Sequence, residues 1–412
     1  MIFRIISKSA LLVFLLFSLY SCSYEGPNEI FDPNDTGSET PVITSIEPSD
    51  LALARYTQVK ITGQNFASGL DSNSRNLVYF NNEKGTVVSE SATEIIVIPP
   101  DISGESITIK ISVPGALTFA EYENYRVELI SNKSDAFLPI DLVQAIAVDS
   151  DENLYAGIRN GNTMYFYVVE PGKDKIEFAT ARIPVIEDMK IGPNKDIYFV
   201  PGNRDLYKIP SGSNEAAAFI RLPKNVKYFD FDQNKNIYIG GSKTGMFRIA
   251  TTDSSVTEVG SFTDFDLKSI RVFDGYVYYS ANYSGTVGTY PLTGVWKSKI
   301  SETDGSLSDP EVVFDWSTSG SYSLSKIGTI TLAMDGTLFI GCDSEENPIL
   351  VVNASGNSTP LYSGLLFTKT VQFVWGNTNT IYHNVVNSDE DITGVYEILV
   401  TDWESAPYYG RE

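Results

Sequence analysis

The 412-residue sequence holds one histidine and two cysteines, and that scarcity removes several chemistries before any motif is read. A histidine-built zinc site, a cysteine-built zinc site and a disulfide framework all need more of these residues than the chain has. Basic residues are also few: 30 Lys and Arg stand against 52 Asp and Glu, a formal charge of −22. So acidic a chain repels phosphate backbones and anionic headgroups, which excludes nucleic acid as a partner. Long apolar runs are missing after the first residues, where nothing approaches the ~18 residues of a membrane span. What is present is 42% hydrophobic residues, enough for packed cores, with 24 Tyr and 22 Phe, which favour β-structure. At roughly 150 residues per domain, the length predicts two or three domains.

The chain opens with an address. Arg4 and Lys8 form a short basic region, and the apolar run from Ala10 to Leu19 is too short to span a bilayer, so 1–21 reads as a secretory signal. Leu19-Tyr20-Ser21-Cys22 resembles the bacterial lipobox, in which cleavage precedes a cysteine that then carries lipid; Tyr20 is bulkier than that motif usually holds. Cys22 is the expected lipidation site. Residues 22–40, rich in Pro, Asn, Asp, Gly, Ser and Glu, read as a flexible tether. Losing Arg4 and Lys8 with the signal takes the formal charge from −22 to −24. Cys342 is then left without a partner in the chain and reads as a buried small hydrophobe.

From Pro41 the pattern becomes short alternating strands. Val59-Lys60-Ile61-Thr62 alternates in and out, and Gly63 suggests a strand end or bulge with positive φ. Leu77 to Phe80, Glu94 to Ile98 and Ile107 to Val113 add strands, with Pro99-Pro100 and Gly104 as breaks. About 90 such residues predict a two-sheet β-sandwich. The runs Pro41 to Pro48, Val59-x-Ile61-x-Gly63-x-Asn65-Phe66 and Thr93 to Pro99 resemble the immunoglobulin-like IPT/TIG domain, over 41–129. The sequence departs from that family at Phe80-Asn81-Asn82, where glycine usually follows the Phe. The resemblance implies a spacer or protein-contact module and no chemistry.

Residues 130–412 repeat. Six segments pair an apolar strand, a polar turn and a second strand carrying an aromatic: Ile146 to Ala156, Met189 to Val200, Phe229 to Gly240, Ile270 to Ala281, Ile330 to Gly341 and Val371 to Asn384. The aligned aromatics Tyr155, Tyr198, Tyr238, Tyr278, Phe339 and Tyr382 are spaced by 43, 40, 40, 61 and 43 residues. Third strands follow in every copy and fourth strands in most. Four strands per repeat of this length predict a six-bladed β-propeller with an enlarged fourth blade. The last repeat lacks a clear fourth strand, which the region around Ala136 to Pro139 is expected to supply, closing the ring. The repeat resembles the NHL type. The fold class is therefore all-β: an immunoglobulin-like sandwich followed by the propeller.

Two runs, Asp149-x-Asp151-x-Asn153 and Asp230-x-Asp232-x-Asn234-x-Asn236, look like the start of a calcium loop. The closing carboxylate is missing, since Asn160 and Gly241 stand in its place, and hairpin-turn chemistry accounts for both runs. Lactonase-like propellers hold a cation at the channel mouth. The innermost strands here would present Gln144, Asp188, Lys227, Lys268, Lys326 and Gln372, one carboxylate among three lysines. Sialidase boxes are absent, and His383 reads as an incidental loop residue. No metal, cofactor or catalytic residue is assigned, and the chain reads as a non-enzyme.

All four Trp follow residue 290, and the register places Tyr283, Tyr290, Trp296, Trp316 and Tyr322, on the enlarged blade four and the loop into blade five, near one face of the ring. Exposed, these aromatics would form a platform for sugar rings; buried, they would fill the space between blades. The layout resembles accessory glycan-binding lipoproteins that serve outer-membrane polysaccharide importers in Bacteroidota. It implies a cell-surface, lipid-anchored protein that binds an oligo- or polysaccharide without cleaving it, with an outer-membrane importer complex as its expected partner. A protein-binding envelope scaffold and, behind it, a propeller hydrolase or lactonase are the alternatives, because the fold itself does not choose.

Overall fold

The computed structural model describes residues 37–68, 75–386 and 393–411; residues 1–21, expected to be a signal, and Cys22, the expected lipidation site, lie outside the described residues. Regular structure among them is strand, with a few single-turn 3-10 segments. By their contacts the described residues divide into two units, one holding those up to Glu47, within Lys60–Val97 and in Thr108–Glu123, the other those in Pro48–Val59, Ile98–Ile107 and from Asn124 onward.

The N-terminal strands form one four-stranded sheet, in the order Val42–Glu47, Val59–Gln64, Glu94–Ile98 and Thr86–Glu90. A five-stranded sheet runs Leu51–Leu53, Ala120–Glu128, Gly104–Ser112, Leu77–Phe80 and Glu83–Lys84. Alternation decides which side chains are inside: Val59 and Ile61, Val78 and Phe80, Ile95 and Val97, and Ile107, Ile109 and Ile111 are all buried. Gly63 serves a different purpose from the one its sequence context suggests. A Cβ there would lie 2.0 Å from the Val42 carbonyl oxygen, so the residue is glycine because two strands approach closely. The positive φ falls on Asn65 (61°) instead. At the turn that lacks the usual glycine, Asn81 adopts φ 53°, and its side chain accepts from the Thr108 amide at 2.9 Å. Asparagine tolerates this conformation better than other non-glycine residues, so the turn survives the replacement.

The repeats form six four-stranded antiparallel sheets. From the innermost strand outward, blade 1 is Leu142–Val148, Leu154–Asn160, Thr163–Val169 and Ile176–Ala181. Blade 2 is Asp188–Ile191, Ile197–Val200, Asp205–Ile209 and Ala217–Arg221. Blade 3 is Tyr228–Phe231, Ile237–Gly240, Met246–Ile249 and Val256–Gly260. Blade 4 is Phe265–Phe273, Tyr276–Tyr283, Thr293–Lys299 and Glu311–Asp315. Blade 5 is Ile327–Leu332, Leu338–Cys342, Ile349–Val352 and Ser358–Pro360. Blade 6 is Thr370–Trp375, Thr380–Val385, Gly394–Leu399 and, as its outer strand, Ser131–Lys133. The ring thus closes by pairing its two ends, Ser131 with Ile398 and Lys133 with Tyr396. The closing strand lies a few residues before the predicted Ala136 to Pro139. Those residues form a turn instead, with the Phe137 amide bonded to the Ser134 carbonyl at 3.4 Å, and Pro139 has no amide to give to a ladder.

The hairpin turns use aspartate as read from the sequence. Oδ1 of buried Asp149 accepts from the Asp151 and Asn153 amides, each at 2.9 Å, and Oδ2 takes the Asn153 carboxamide at 3.0 Å. Asp232 holds Asn236 in the same way. Asp230 is not a turn residue: it sits in the inner strand of blade 3 and faces Arg271.

Candidate ligand-binding site

The inner strands of a propeller surround a channel, and here they carry polar side chains that stitch one blade to the next. Oε1 of Gln372 (blade 6) accepts from the Ile146 amide (blade 1) at 2.9 Å, and its Nε2 donates to Asp188 (blade 2) at 3.2 Å. Asp188 accepts from the Phe229 amide of blade 3 at 3.2 Å and from the Lys190 ammonium at 3.1 Å. Asp230 of blade 3 takes the Val272 amide and the Arg271 guanidinium of blade 4, both at 2.8 Å. Ser269 then accepts from the Ile330 amide of blade 5 at 3.2 Å. Burial lifts the Asp188 carboxyl above the usual carboxylate range, against the pull of Lys190 and the Phe229 amide. Burial also acts to lower the Lys190 ammonium, but Asp188 and Asp230 outweigh it and hold the proton on.

Below this layer the channel is filled by the end of the chain. Arg271, 1% exposed, donates to the carbonyls of Ala406 (3.0 Å) and Pro407 (2.6 Å). The Tyr408 ring lies between two guanidiniums, 3.5 Å from Arg271 and 4.3 Å from Arg411. Its hydroxyl accepts from the Trp375 amide at 3.2 Å and shares a hydrogen bond with Thr331 at 2.7 Å. Arg411 donates to the carbonyls of Val148 (3.2 Å) and Trp375 (2.7 Å), so the tail reaches the far ends of the inner strands of blades 1, 4, 5 and 6. A Cβ on Gly410 would lie 2.4 Å from the Ile191 carbonyl oxygen and 2.5 Å from the Phe231 ring, which adds blades 2 and 3. Two desolvated cation–π contacts, worth about 2 kcal/mol or more each, and buried charge-assisted hydrogen bonds fix this plug.

At the opposite end, where the inner strands begin, the channel holds a cavity of 370 Å³. Its polar lining includes Gln144, Asp188, Lys190, Tyr228, Lys268 and Gln372, and aliphatic Val143, Ile186, Ile327 and Val371 complete its walls. All six blades contribute. Of the predicted mouth positions, Gln144, Asp188, Lys268 and Gln372 line the cavity. Lys227 is tied to Glu187 at 2.9 Å, and its neighbour Tyr228 takes the place at the wall; on blade 5 Ile327 stands where Lys326 was expected. Burial, helped by Glu187, Asp188 and Asp266, pushes the Tyr228 phenol up, so it stays protonated and able to donate. Among the described residues no hydrogen-bond partner engages the Gln144 or Tyr228 side chain. A second cavity, of 470 Å³, lies at the closed end among the turns of blades 3 and 4. Its Asp232 and Asp304 carboxylates are already taken up by Asn236 and Ser306.

The aromatic platform is not exposed. Trp296 is 0% exposed, stacked near-parallel on Tyr279 with ring centroids 6.2 Å apart and edge-on to Phe265. Trp316 is 1% exposed and donates its indole N–H to the Ser325 carbonyl at 2.9 Å. Tyr283 ends a strand rather than standing on a loop, and is buried against Phe265 and Tyr290. Tyr290 and Tyr322 are half-buried. Trp296, Trp316 and Tyr283 fill core because the sheets of a propeller pack against neighbours on both faces. His383 is inside a strand, 3% exposed, with Nε2 3.0 Å from the Thr370 hydroxyl; burial lowers its pKa to about 4. Cys342 is buried as anticipated, and burial pushes its thiol up to about 11. Among the described residues no group of three His, Cys, Asp or Glu is arranged to hold a metal ion.

Residues 41–126 match the IPT/TIG domain. No curated protein matches the chain. Among solved structures, a protein of unknown function from Bacteroides thetaiotaomicron is 14% identical, with 90% of this chain and 99% of that one covered and a TM-score of 0.48. An auxiliary nutrient binding protein from Bacteroides ovatus is 15% identical over 89% of this chain and 98% of its own, with a TM-score of 0.50. A protein provisionally named a gluconolactonase is 11% identical over 67% of this chain and 93% of its own, also at 0.50. At these identities the likeness is one of fold: β-propeller structures, here joined to an IPT/TIG domain.

Proposed function

We propose that the protein is a lipid-anchored, cell-surface binder that captures an oligosaccharide without cleaving it, as an accessory to an outer-membrane polysaccharide importer. The observation that carries this reading is the channel cavity. Its 370 Å³ falls in the ~300–1,000 Å³ range of small-molecule sites, and six separate strands bring donors and acceptors to it. The lining carboxylates and ammoniums balance, Glu187 and Asp188 against Lys190 and Lys268, so a neutral, hydroxyl-rich ligand suits it better than a strongly charged one. The Bacteroides ovatus protein, named for nutrient binding, supports capture over catalysis. Asp188 is engaged by Lys190, Gln372 and two backbone amides, so a lactonase-type cation would have to displace an ammonium to reach it. The anchor is proposed from the lipobox-like Leu19 to Cys22.

A protein-binding role is favoured by a different observation. Leu138, Ile140, Val287, Leu292, Leu324 and Phe367 are exposed on loops at the end of the ring where the inner strands begin. Apolar residues gathered at one face are a mark of protein contact. A glycan array probed with the detergent-extracted protein, alongside lipid labelling of wild type and Cys22→Ser, tests the proposal. Retention of neutral glycans and loss of label in the variant support it. No retained glycan, with an importer or other envelope protein recovered by cross-linking, moves the assignment to the scaffold.

A further inference from the structure

We infer that the channel site takes the terminus of a glycan chain, end-on, rather than an internal stretch of it. The inference rests on the glycan reading above and concerns which part of the polymer is bound. Two features of the geometry carry it. The cavity is walled by all six blades, by Val143 on blade 1, Asp188 on blade 2, Tyr228 on blade 3, Lys268 on blade 4, Ile327 on blade 5 and Val371 on blade 6. A chain binding by its middle needs a groove open at both ends, so that it enters on one side and leaves on the other. A ring of walls offers no such exits.

The axial direction is closed too. At the floor of the cavity Asp188 accepts from both Lys190 and Gln372, and below them Arg271, Tyr408 and Arg411 fill the channel. A polymer cannot thread through. What fits is a terminal unit, or about two, at the low end of the ~300–1,000 Å³ range of small-molecule sites. The lining offers what a chain terminus has in excess over an internal unit, additional hydroxyls. The Gln144 carboxamide supplies a donor and an acceptor, the Tyr228 phenol both, and the Thr329 hydroxyl both, with Lys268 held beside them by Asp266 at 2.7 Å. These groups also predict the length dependence of affinity. Units beyond the second or third extend out of the mouth and add little, whereas a groove gains affinity with every unit it covers.

The experiment uses the full chain and four neutral series, malto-, cello-, xylo- and manno-oligosaccharides, each as trimer, hexamer and the matching soluble polysaccharide. Affinity is measured by calorimetry and the number of protein molecules per polymer chain by light scattering. End-on capture gives a trimer within about threefold of its hexamer, and one protein per chain terminus however long the polymer. Gln144→Ala and Tyr228→Phe each weaken binding several-fold, on the order of tenfold, with melting unchanged. Affinity that climbs steadily from trimer to hexamer, or many proteins on one polymer chain, overturns end-on capture and leaves glycan binding standing. Binding to none of the four series overturns both.

Discussion

The single histidine gives a clean handle on the interior of blade 6. His383 is buried and burial lowers its pKa from 6.5 to about 4. In the unfolded chain the same imidazole titrates near its ordinary value. The unfolded state therefore binds the proton first as pH falls, so the stability contributed by the neutral imidazole is full above pH 6.5 and drains away as pH falls toward 4. Integrated between pH 7 and 5, that difference amounts to about 2 kcal/mol, and to about 3 kcal/mol by pH 4. The assay is urea unfolding of wild type and His383→Asn at each pH. Comparing the two chains cancels carboxylates such as Asp188 and Glu397, whose raised pKa values act in the opposite direction. The asparagine variant is expected to lose the extra pH 7-to-5 decline. With one histidine in the chain, the ¹³Cε1 signal of labelled protein reports the same site directly, and it should stay neutral down to pH 5. An imidazole midpoint near 6.5, or parallel pH profiles for the two chains, would refute the burial argument.

Other perturbations have equally definite outcomes. Tyr408→Phe strands the Trp375 amide and the Thr331 hydroxyl inside the plug, at a cost of about 1–3 kcal/mol and a drop of several degrees in Tm by calorimetry. Asp149→Ala removes the acceptor of two backbone amides and costs about 2–4 kcal/mol by chemical denaturation. Asp151→Ala, at a largely exposed position of the same turn, stays within about 0.5 kcal/mol. Trp296→Ala destabilises by about 3–5 kcal/mol, as expected of a core indole and not of an exposed sugar platform; a small change would return the residue to the surface.

The blades were legible because each repeat carries its own local signal, an apolar inner strand, a tight polar turn and an aromatic second strand, with an aspartate staple in the turns of blades 1, 3 and 5. Met246–Ile249 and Ile349–Val352 fall where the pattern places them, since turn chemistry marks both ends. The aromatics were harder. Alternation sorts inside from outside only when a sheet has one wet face, and the sheets of a propeller pack against neighbours on both, so the burial of Trp296 carries no periodic signature. The plug was illegible for another reason. Thr401 to Arg411 has no period, and its partners lie far along the chain, Arg271 at 137 residues from Tyr408 among them. One signal was there to be used. Asp230 and Arg271 each stand within apolar strands, and charges in such places are seldom buried unless paired.

The central claim is that ligand enters the channel mouth and not the aromatic region of blade 4. The most direct measurement is calorimetric titration of the best-retained glycan into two double variants, Gln144→Ala/Tyr228→Phe and Tyr290→Ala/Tyr322→Ala, with melting followed in parallel. The mouth variant should lose tenfold or more in affinity at unchanged Tm while the tyrosine variant binds as wild type. Full binding by the mouth variant, with the loss confined to the loop tyrosines, would contradict the account.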